Sequence, residues 1–195
     1  MATIEDILNR MQYTYGDMVR IINSDYPGTS FSNWYTRMAS FQNCNFSGSN
    51  FNDASLHDTI FRSCNLSNCK FINISKQGLQ GGVTFSDCNL TNSHIKWVEN
   101  IDDTDELVFE NCNLDKCNFR DSYMFNVDFK KNYGKPDFTS TTAFLSRYTI
   151  PQAFWLYKHG ATTVGHVNYK NTLKYIPYHA RILKMLATCT KKLLK

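Results

Sequence analysis

Residues 39–71 decide the fold, and they read ASFQNCNFSGSNFNDASLHDTIFRSCNLSNCKF. A bulky apolar residue recurs here at every fifth position: Phe41, Phe46, Phe51, Leu56, Phe61, Leu66 and Phe71. A compact residue stands two positions before each of these: Ala39, Cys44, Ser49, Ala54, Thr59, Cys64 and Cys69. A five-residue period fits neither the two-residue period of a strand nor the 3.6-residue period of a helix. The stretch is an internal repeat, and repeats of this kind predict a solenoid.

The same spacing returns further along the chain, at Phe85, Leu90 and Ile95, and then at Phe109, Leu114, Phe119, Met124 and Phe129. Fifteen repeats fit this register. Two gaps are 14 residues long, where two repeats would need 10. Each gap therefore holds an insert of four extra residues. We expect the inserts, residues 74–82 and 98–106, to protrude from the same face.

This small-polar-Leu/Phe pattern resembles the pentapeptide-repeat family. The resemblance implies a mainly β fold, a right-handed quadrilateral β-helix in which four repeats form one coil, with about four to five coils over residues 39–129. Neighbouring coils lie about 4.8 Å apart, so equivalent residues stack in columns. The predicted columns are Phe41, Phe61, Phe85, Phe109 and Phe129 on one side; Phe46, Leu66, Leu90 and Leu114 on the next; and Phe51, Phe71, Ile95 and Phe119 on the third. We interpret Cys44, Cys64, Cys88 and Cys112 as compact core residues, because their spacing matches no zinc site.

Both ends of a solenoid need caps, and the sequence predicts helices there. Residues 1–38 are predicted to form a helical cap, with one short helix near Ile4 to Met11 and a second over residues 15–23. After Phe129 the repeat is predicted to give way to irregular chain at Gly134 and Pro136. Residues 130–195 are then predicted to be basic and mainly helical. One helix runs from about Pro151 to His159 before Gly160, and a final amphipathic helix runs from about Pro177 to Lys195.

The net charge of +4 is unevenly distributed along the chain. Residues 1–129 contain 9 Lys or Arg and 16 Asp or Glu, whereas residues 130–195 contain 12 and 1. Two charged sets are predicted to bind a partner: Glu99, Asp102, Asp103, Asp105 and Glu106 in the second insert, and Arg181, Lys184, Lys191 and Lys192 in the final helix. The basic region invites a nucleic-acid contact, but an amphipathic basic helix equally serves as a cap, a homodimer contact or an anionic-membrane anchor.

The sequence contains no catalytic motif, metal-ligand pattern or cofactor loop, so it predicts neither an enzyme nor a cofactor. Seven cysteines is an odd number, and neither a signal segment nor an apolar run of spanning length is present. These features indicate reduced thiols and a cytoplasmic protein without a transmembrane segment.

The predicted function is a non-enzymatic scaffold that binds and modulates or inhibits a protein partner. In organisation the chain is similar to the quinolone-resistance pentapeptide proteins, and that resemblance implies an acidic, DNA-like rod and a topoisomerase-type target. The alternative is a phage- or effector-type accessory factor that blocks a host defence complex in the host cytoplasm. In that case the basic tail would bind nucleic acid, an anionic membrane or an acidic partner.

Overall fold

The structure is a computed structural model that describes residues 18–74, 82–96, 107–145 and 150–166. Within these ranges the chain forms twelve short strands and one helix. Their bounds are β1 Val19–Ile22, β2 Tyr35–Arg37, β3 Ala39–Gln42, β4 Ser55–His57, β5 Thr59–Arg62, β6 Lys70–Ile72, β7 Val83–Ser86, β8 His94–Lys96, β9 Leu107–Glu110, β10 Tyr123–Lys130, β11 Thr142–Leu145, β12 Thr163–His166 and the helix α1 Ile150–Lys158. The mainly β content that the sequence predicts is confirmed. Within these ranges, no helix has both the length and the apolar character needed to cross a membrane.

The strands stack in parallel, one coil above another. Eight of them form one sheet in the order β1-β3-β5-β7-β9-β10-β11-β12, while β2 pairs with β4 and β6 pairs with β8. Strands paired in the first sheet mostly lie one full coil apart in sequence and run in the same direction. The chain therefore winds around an axis, and its coils form the predicted β-solenoid.

Side one of each coil carries the predicted phenylalanine column. Phe41 pairs with Phe61, Phe61 with Phe85, and so on through Phe109 to Phe129. Successive rings are nearly parallel, with centroids 5.1 to 5.3 Å apart. This register confirms the coil lengths of 20 and 24 residues, because a one-residue slip would turn every ring out of the core.

Sides two and three also match the predicted columns. Isolated bridges join Asn45 to Asn65, Asn65 to Asn89 and Asn89 to Asn113 on side two. The apolar residue that follows each Asn is fully buried: Phe46, Leu66, Leu90 and Leu114. On side three, Phe51 stacks on Phe71 at 4.8 Å, and Phe71 pairs with Ile95. The core is thus a set of stacked columns.

The corners between sides depend on left-handed backbone, which the repeat analysis did not anticipate. In most of the described repeats the residue two positions after the central apolar residue has a positive φ, for example Asn43 (54°), Asp53 (59°) and Asn68 (58°). Among the described residues, sixteen non-glycine residues adopt this conformation, and eleven of them are Asn or Asp. These two residue types tolerate the left-handed region better than other L-residues, because their short polar side chains hydrogen-bond locally. Their frequency in this chain is therefore a requirement of the corners.

The solenoid begins earlier than the sequence predicted. Within the range assigned to a helix over residues 15–23, Val19–Ile22 is a strand, and it pairs with β3 so that Ile21 lies against Phe41. Phe31 then stacks on Phe51 at 4.7 Å. The helix prediction is wrong for this segment, because the first phenylalanine of each column needs an apolar neighbour on its other side. Ile4 to Met11 lies outside the described residues.

The solenoid also continues past Phe129, where irregular chain was predicted. Tyr133 bridges to Asn113, Asp137 bridges to Asn118, and Phe138 stacks on Phe119 at 4.6 Å. The pairing offset falls from 20 residues at the first bridge to 19 at the second. This one-residue deletion hides the coil after Phe129, the fifth when coils are counted from residue 39, from a search for a five-residue period.

The helix predicted before Gly160 is confirmed as α1, and it covers the end of the stacked core. Its Ala153 and Leu156 are buried. The Trp155 ring lies against Phe129 and Phe138, with centroids 5.9 and 5.6 Å away. The helix therefore supplies the apolar surface that a further coil would have supplied. The final helix predicted over residues 177–195 lies outside the described residues.

A buried polar group joins α1 to the last coil. Asp128 is fully buried although it faces outward from side one. Its Oδ1 accepts a hydrogen bond of 3.0 Å from Gln152, whose Nε2 also donates to the carbonyl of Phe129. The Lys130 ammonium lies 3.3 Å from Asp128 Oδ2. A buried carboxylate is tolerated only when it is paired and hydrogen-bonded, so these contacts fix the helix in one orientation.

Candidate binding surface

Both charged sets predicted to bind a partner lie outside the described residues: Glu99, Asp102, Asp103, Asp105 and Glu106 of the insert, and Arg181, Lys184, Lys191 and Lys192 of the tail. The structure does show where the two inserts begin and end. The first lies between β6 and β7, and the second lies between β8 and β9. Because β6 pairs with β8 and β7 with β9, the inserts leave and rejoin the solenoid at equivalent points of successive coils.

The cysteine column serves packing. Cys64, Cys88 and Cys112 are at most 2% exposed, and each Sγ donates a long hydrogen bond to a core-strand carbonyl one coil away, over 3.4 to 3.5 Å. In side three, burial raises the pKa of Cys69 to about 12, and burial also raises the pKa of Cys117. Within the described ranges, no three His, Cys, Asp or Glu side chains converge as a metal site would require.

We expect the six described cysteines to resist alkylation in the folded protein. Alkylation requires contact between the reagent and the thiolate, and burial blocks that contact at all six positions. At Cys69 and Cys117 burial also raises the thiol pKa, so little thiolate is present there at about pH 8. Peptide mapping after iodoacetamide treatment measures this directly, and the same reaction in guanidinium chloride is the control. Equal labelling of Cys69 and Cys117 in both samples would contradict the assigned core positions.

The described coils are not acidic, which corrects the expectation of an acidic rod. Before residue 130 they contain eight Asp or Glu and seven Lys or Arg. The second insert alone contains five carboxylates. The charge count over residues 1–129 included the carboxylates of this insert. When the described coils are counted without it, the solenoid is almost neutral.

Side two is an uncharged polar face over its central three coils. Asn65 Nδ2 donates to Asn45 Oδ1 over 3.1 Å, and Asn89 Nδ2 donates to Asn65 Oδ1 over 3.4 Å. Each Asn oxygen also accepts a backbone N–H two residues later, as Asn45 does from Ser47 at 3.1 Å. The amides therefore largely satisfy one another, which makes this face a structural ladder.

The outward residues of β6 and β8 on side three form a different surface, which the sequence analysis missed. They are Lys70, Ile72, His94 and Lys96. Lys70 and Lys96 are 26 positions apart in the chain, so they become neighbours only through the coil register. A count of charges by side, once the coils were aligned, would have found them.

Eight copies of the pentapeptide-repeat family profile match the chain, over residues 39–75 and 105–131. These ranges coincide with coils whose apolar columns and left-handed corners are described above. Residues 39–75 and 105–131 are pentapeptide repeats. The coil before residue 39, the coil that contains Phe85, Leu90 and Ile95, and most of the coil after Phe129 lie outside the matched ranges.

Solved pentapeptide-repeat structures are similar to this chain at low identity. A trypsin-treated variant of QnrB1, a plasmid-mediated fluoroquinolone resistance protein, is 15% identical, with a TM-score of 0.42, and the alignment covers 77% of this chain and 85% of that one. Rfr23 from the cyanobacterium Cyanothece 51142 is 14% identical, with a TM-score of 0.34, and covers 64% and 84%. No curated protein matches the sequence. Likeness at this level says nothing about a partner.

Proposed function

We propose that the protein is a non-enzymatic scaffold that binds a protein partner, with the insert of residues 98–106 as its main recognition element. The observation that carries this proposal is the anchoring of the insert. His94 of β8 pairs with Lys70, and Leu107 of β9 pairs with Val83 and is buried. Loops held by a rigid framework are where proteins commonly carry recognition.

Charge makes the second insert the stronger candidate of the two. It contains five carboxylates in eight positions, whereas residues 75–81 contain one lysine and no carboxylate. On an almost neutral solenoid, such a cluster is a local negative potential that steers a basic partner surface toward it. A scaffold that occupies a partner surface in this way would modulate or inhibit that partner.

Imitation of DNA gains no support from the charge of the described coils, so the proposal does not require a topoisomerase-type target. The phage- or effector-type alternative depends on the basic tail, where the excess of 12 cations over 1 carboxylate favours a polyanion. The two candidates therefore place binding at different ends of the chain.

Affinity capture from cell lysate separates them. The insert variant carries Glu99→Gln, Asp102→Asn, Asp103→Asn, Asp105→Asn and Glu106→Gln, and the tail variant carries Arg181→Gln, Lys184→Gln, Lys191→Gln and Lys192→Gln. We expect the wild type and the tail variant to retain the same protein, and the insert variant to lose at least about tenfold of it, equivalent to about 1.4 kcal/mol. Substitutions suit this test better than removal of residues 130–195, because that deletion would remove the fifth coil and α1.

The opposite pattern would favour the alternative. If capture is lost in the tail variant, persists in the insert variant and disappears after nuclease treatment, the protein binds through nucleic acid and the scaffold proposal is wrong. Quantitative mass spectrometry of the captured fraction distinguishes these results.

A further inference from the structure

The side-three surface, which we define as the outward face of Lys70, Ile72, His94 and Lys96, lies on two parallel strands in regular register. Its two strands turn Phe71 and Ile95 into the core, where both are 1% exposed. Lys70 pairs with His94, and Ile72 pairs with Lys96. The lysines therefore lie on a diagonal, with Ile72 and His94 on the other diagonal.

Positive charge on this surface has no carboxylate partner within the described part of the chain. Other cations do have one: Arg120 lies 3.9 Å from Asp137, and Lys130 lies 3.3 Å from Asp128. Partial burial of His94, together with the ammonium groups of Lys96 and Lys70, lowers the pKa of this imidazole. At neutral pH the surface therefore presents two ammonium groups beside a neutral ring.

We propose that the side-three surface binds an extended acidic segment of a polypeptide partner. The inference rests on the proposed function, because it assumes a protein partner and adds a second contact to it. The two lysine Cα atoms lie one coil and two residues apart, which is about 8 Å at standard strand spacings. Carboxylates at alternate positions of an extended chain are about 6.6 Å apart, within reach of both flexible lysine side chains.

Chemistry favours polypeptide over nucleic acid at this surface. The only aromatic group among its four outward residues is the single small ring of His94, whereas single-strand binding uses a series of aromatic side chains on which successive bases stack. The described coils from residue 18 to 145 contain ten cations and nine carboxylates, so the solenoid lacks the broad positive potential that duplex binding uses. Ile72 adds an apolar contact that suits a side chain better than a phosphate.

The test uses the full chain and a fluorescein-labelled peptide of alternating glutamate and serine, with binding followed by fluorescence anisotropy. Lys70→Glu/Lys96→Glu is compared with the matched variant Lys131→Glu/Lys135→Glu, which changes the net charge equally at exposed positions of the fifth coil. Because the tail is the same in both variants, its contribution cancels. We expect the first variant to bind at least about tenfold more weakly and the second to change less than about twofold.

Several results would overturn the inference: no measurable peptide binding by the wild type, equal losses in the two variants, or stronger displacement of the peptide by an unlabelled DNA oligonucleotide than by unlabelled peptide. Carbodiimide cross-linking adds a positional test, since Lys70 and Lys96 should couple to the peptide. Coupling of these lysines to residues 99–106 of their own chain instead would assign the surface to an internal contact.

The lysate capture described above gives an independent result on the proposed function. The insert variant could lose the captured protein while Lys70→Glu/Lys96→Glu still binds both the captured protein and the peptide. That result would overturn the inference about the side-three surface and leave the proposed function standing.

Discussion

Phe85→Ala should lower the free energy of unfolding by about 3–5 kcal/mol, the usual cost of truncating a buried aromatic residue. Phe85 is 2% exposed and occupies the middle of the side-one column. Its ring stacks between Phe61 at 5.3 Å and Phe109 at 5.1 Å, and meets the edge of Phe71 at 5.6 Å. Each coil touches only its neighbours, so the cavity weakens both coil interfaces.

Phe154→Ala is the matched control for this prediction, since Phe154 is 50% exposed on α1. We expect it to cost less than about 1 kcal/mol, because surface substitutions rarely cost more. Urea unfolding followed by circular dichroism gives both values. Domains of this kind are stable by only about 5–15 kcal/mol, so the central substitution removes a large fraction of the total. If the two variants unfold at the same urea concentration, the stacked column does not govern stability.

Gly134→Ala is the second large effect we expect, with a loss of about 2–6 kcal/mol from backbone strain and overpacking together. Gly134 has a φ of +100° and takes the place that Leu114 holds one coil earlier. A Cβ at this position would lie 2.3 Å from the Asp115 nitrogen and 2.9 Å from the Leu114 carbonyl carbon. Both atoms belong to the backbone, so no change of rotamer relieves the overlap.

Gly48→Ala separates the overlap from the conformational cost. Gly48 also has a positive φ, of +73°, but the nearest atoms to an added Cβ are 4.0 Å away. This control should cost only about 1–2 kcal/mol, the penalty of the left-handed region for an L-residue. Thermal unfolding of the two variants measures the difference. Equal melting temperatures would mean that the fifth coil does not approach the fourth as closely as described.

The pattern at Phe41, Phe46 and Phe51 was sufficient to predict the central coils, because a stacked core repeats the same chemistry at the same spacing. The pattern did not predict the two outer coils, and the reason differs between them. In the coil that precedes residue 39, Tyr26 occupies a position where Leu or Phe was expected, and it stacks on Phe46 at 5.7 Å. In the fifth, one residue is missing between Tyr133 and Asp137. Pairing with a neighbouring coil that follows the repeat compensates for both departures. A local sequence pattern does not include the residues of that neighbouring coil, so it could not predict this pairing.

The binding residues could be predicted only in part. Carboxylates that follow one another in the insert are visible as a cluster in the sequence. Lys70 and Lys96 are separated by an insert and an entire coil, so their proximity depends on the register of β6 against β8. Asp128 is similar, since nothing near it in sequence indicates that Gln152 will cover it.

By itself the sequence determined the five-residue period, the coil lengths of 20 and 24 residues and the identity of each core column, because these follow from local spacing. Only the tertiary structure decided that the solenoid extends before residue 39 and past Phe129, how α1 covers the stacked core and which charges share a face. Those properties arise from contacts between residues about 20 or more positions apart, and such contacts form only when coils stack. The neutral rod, the anchored acidic insert and the paired lysines of side three all belong to this second group.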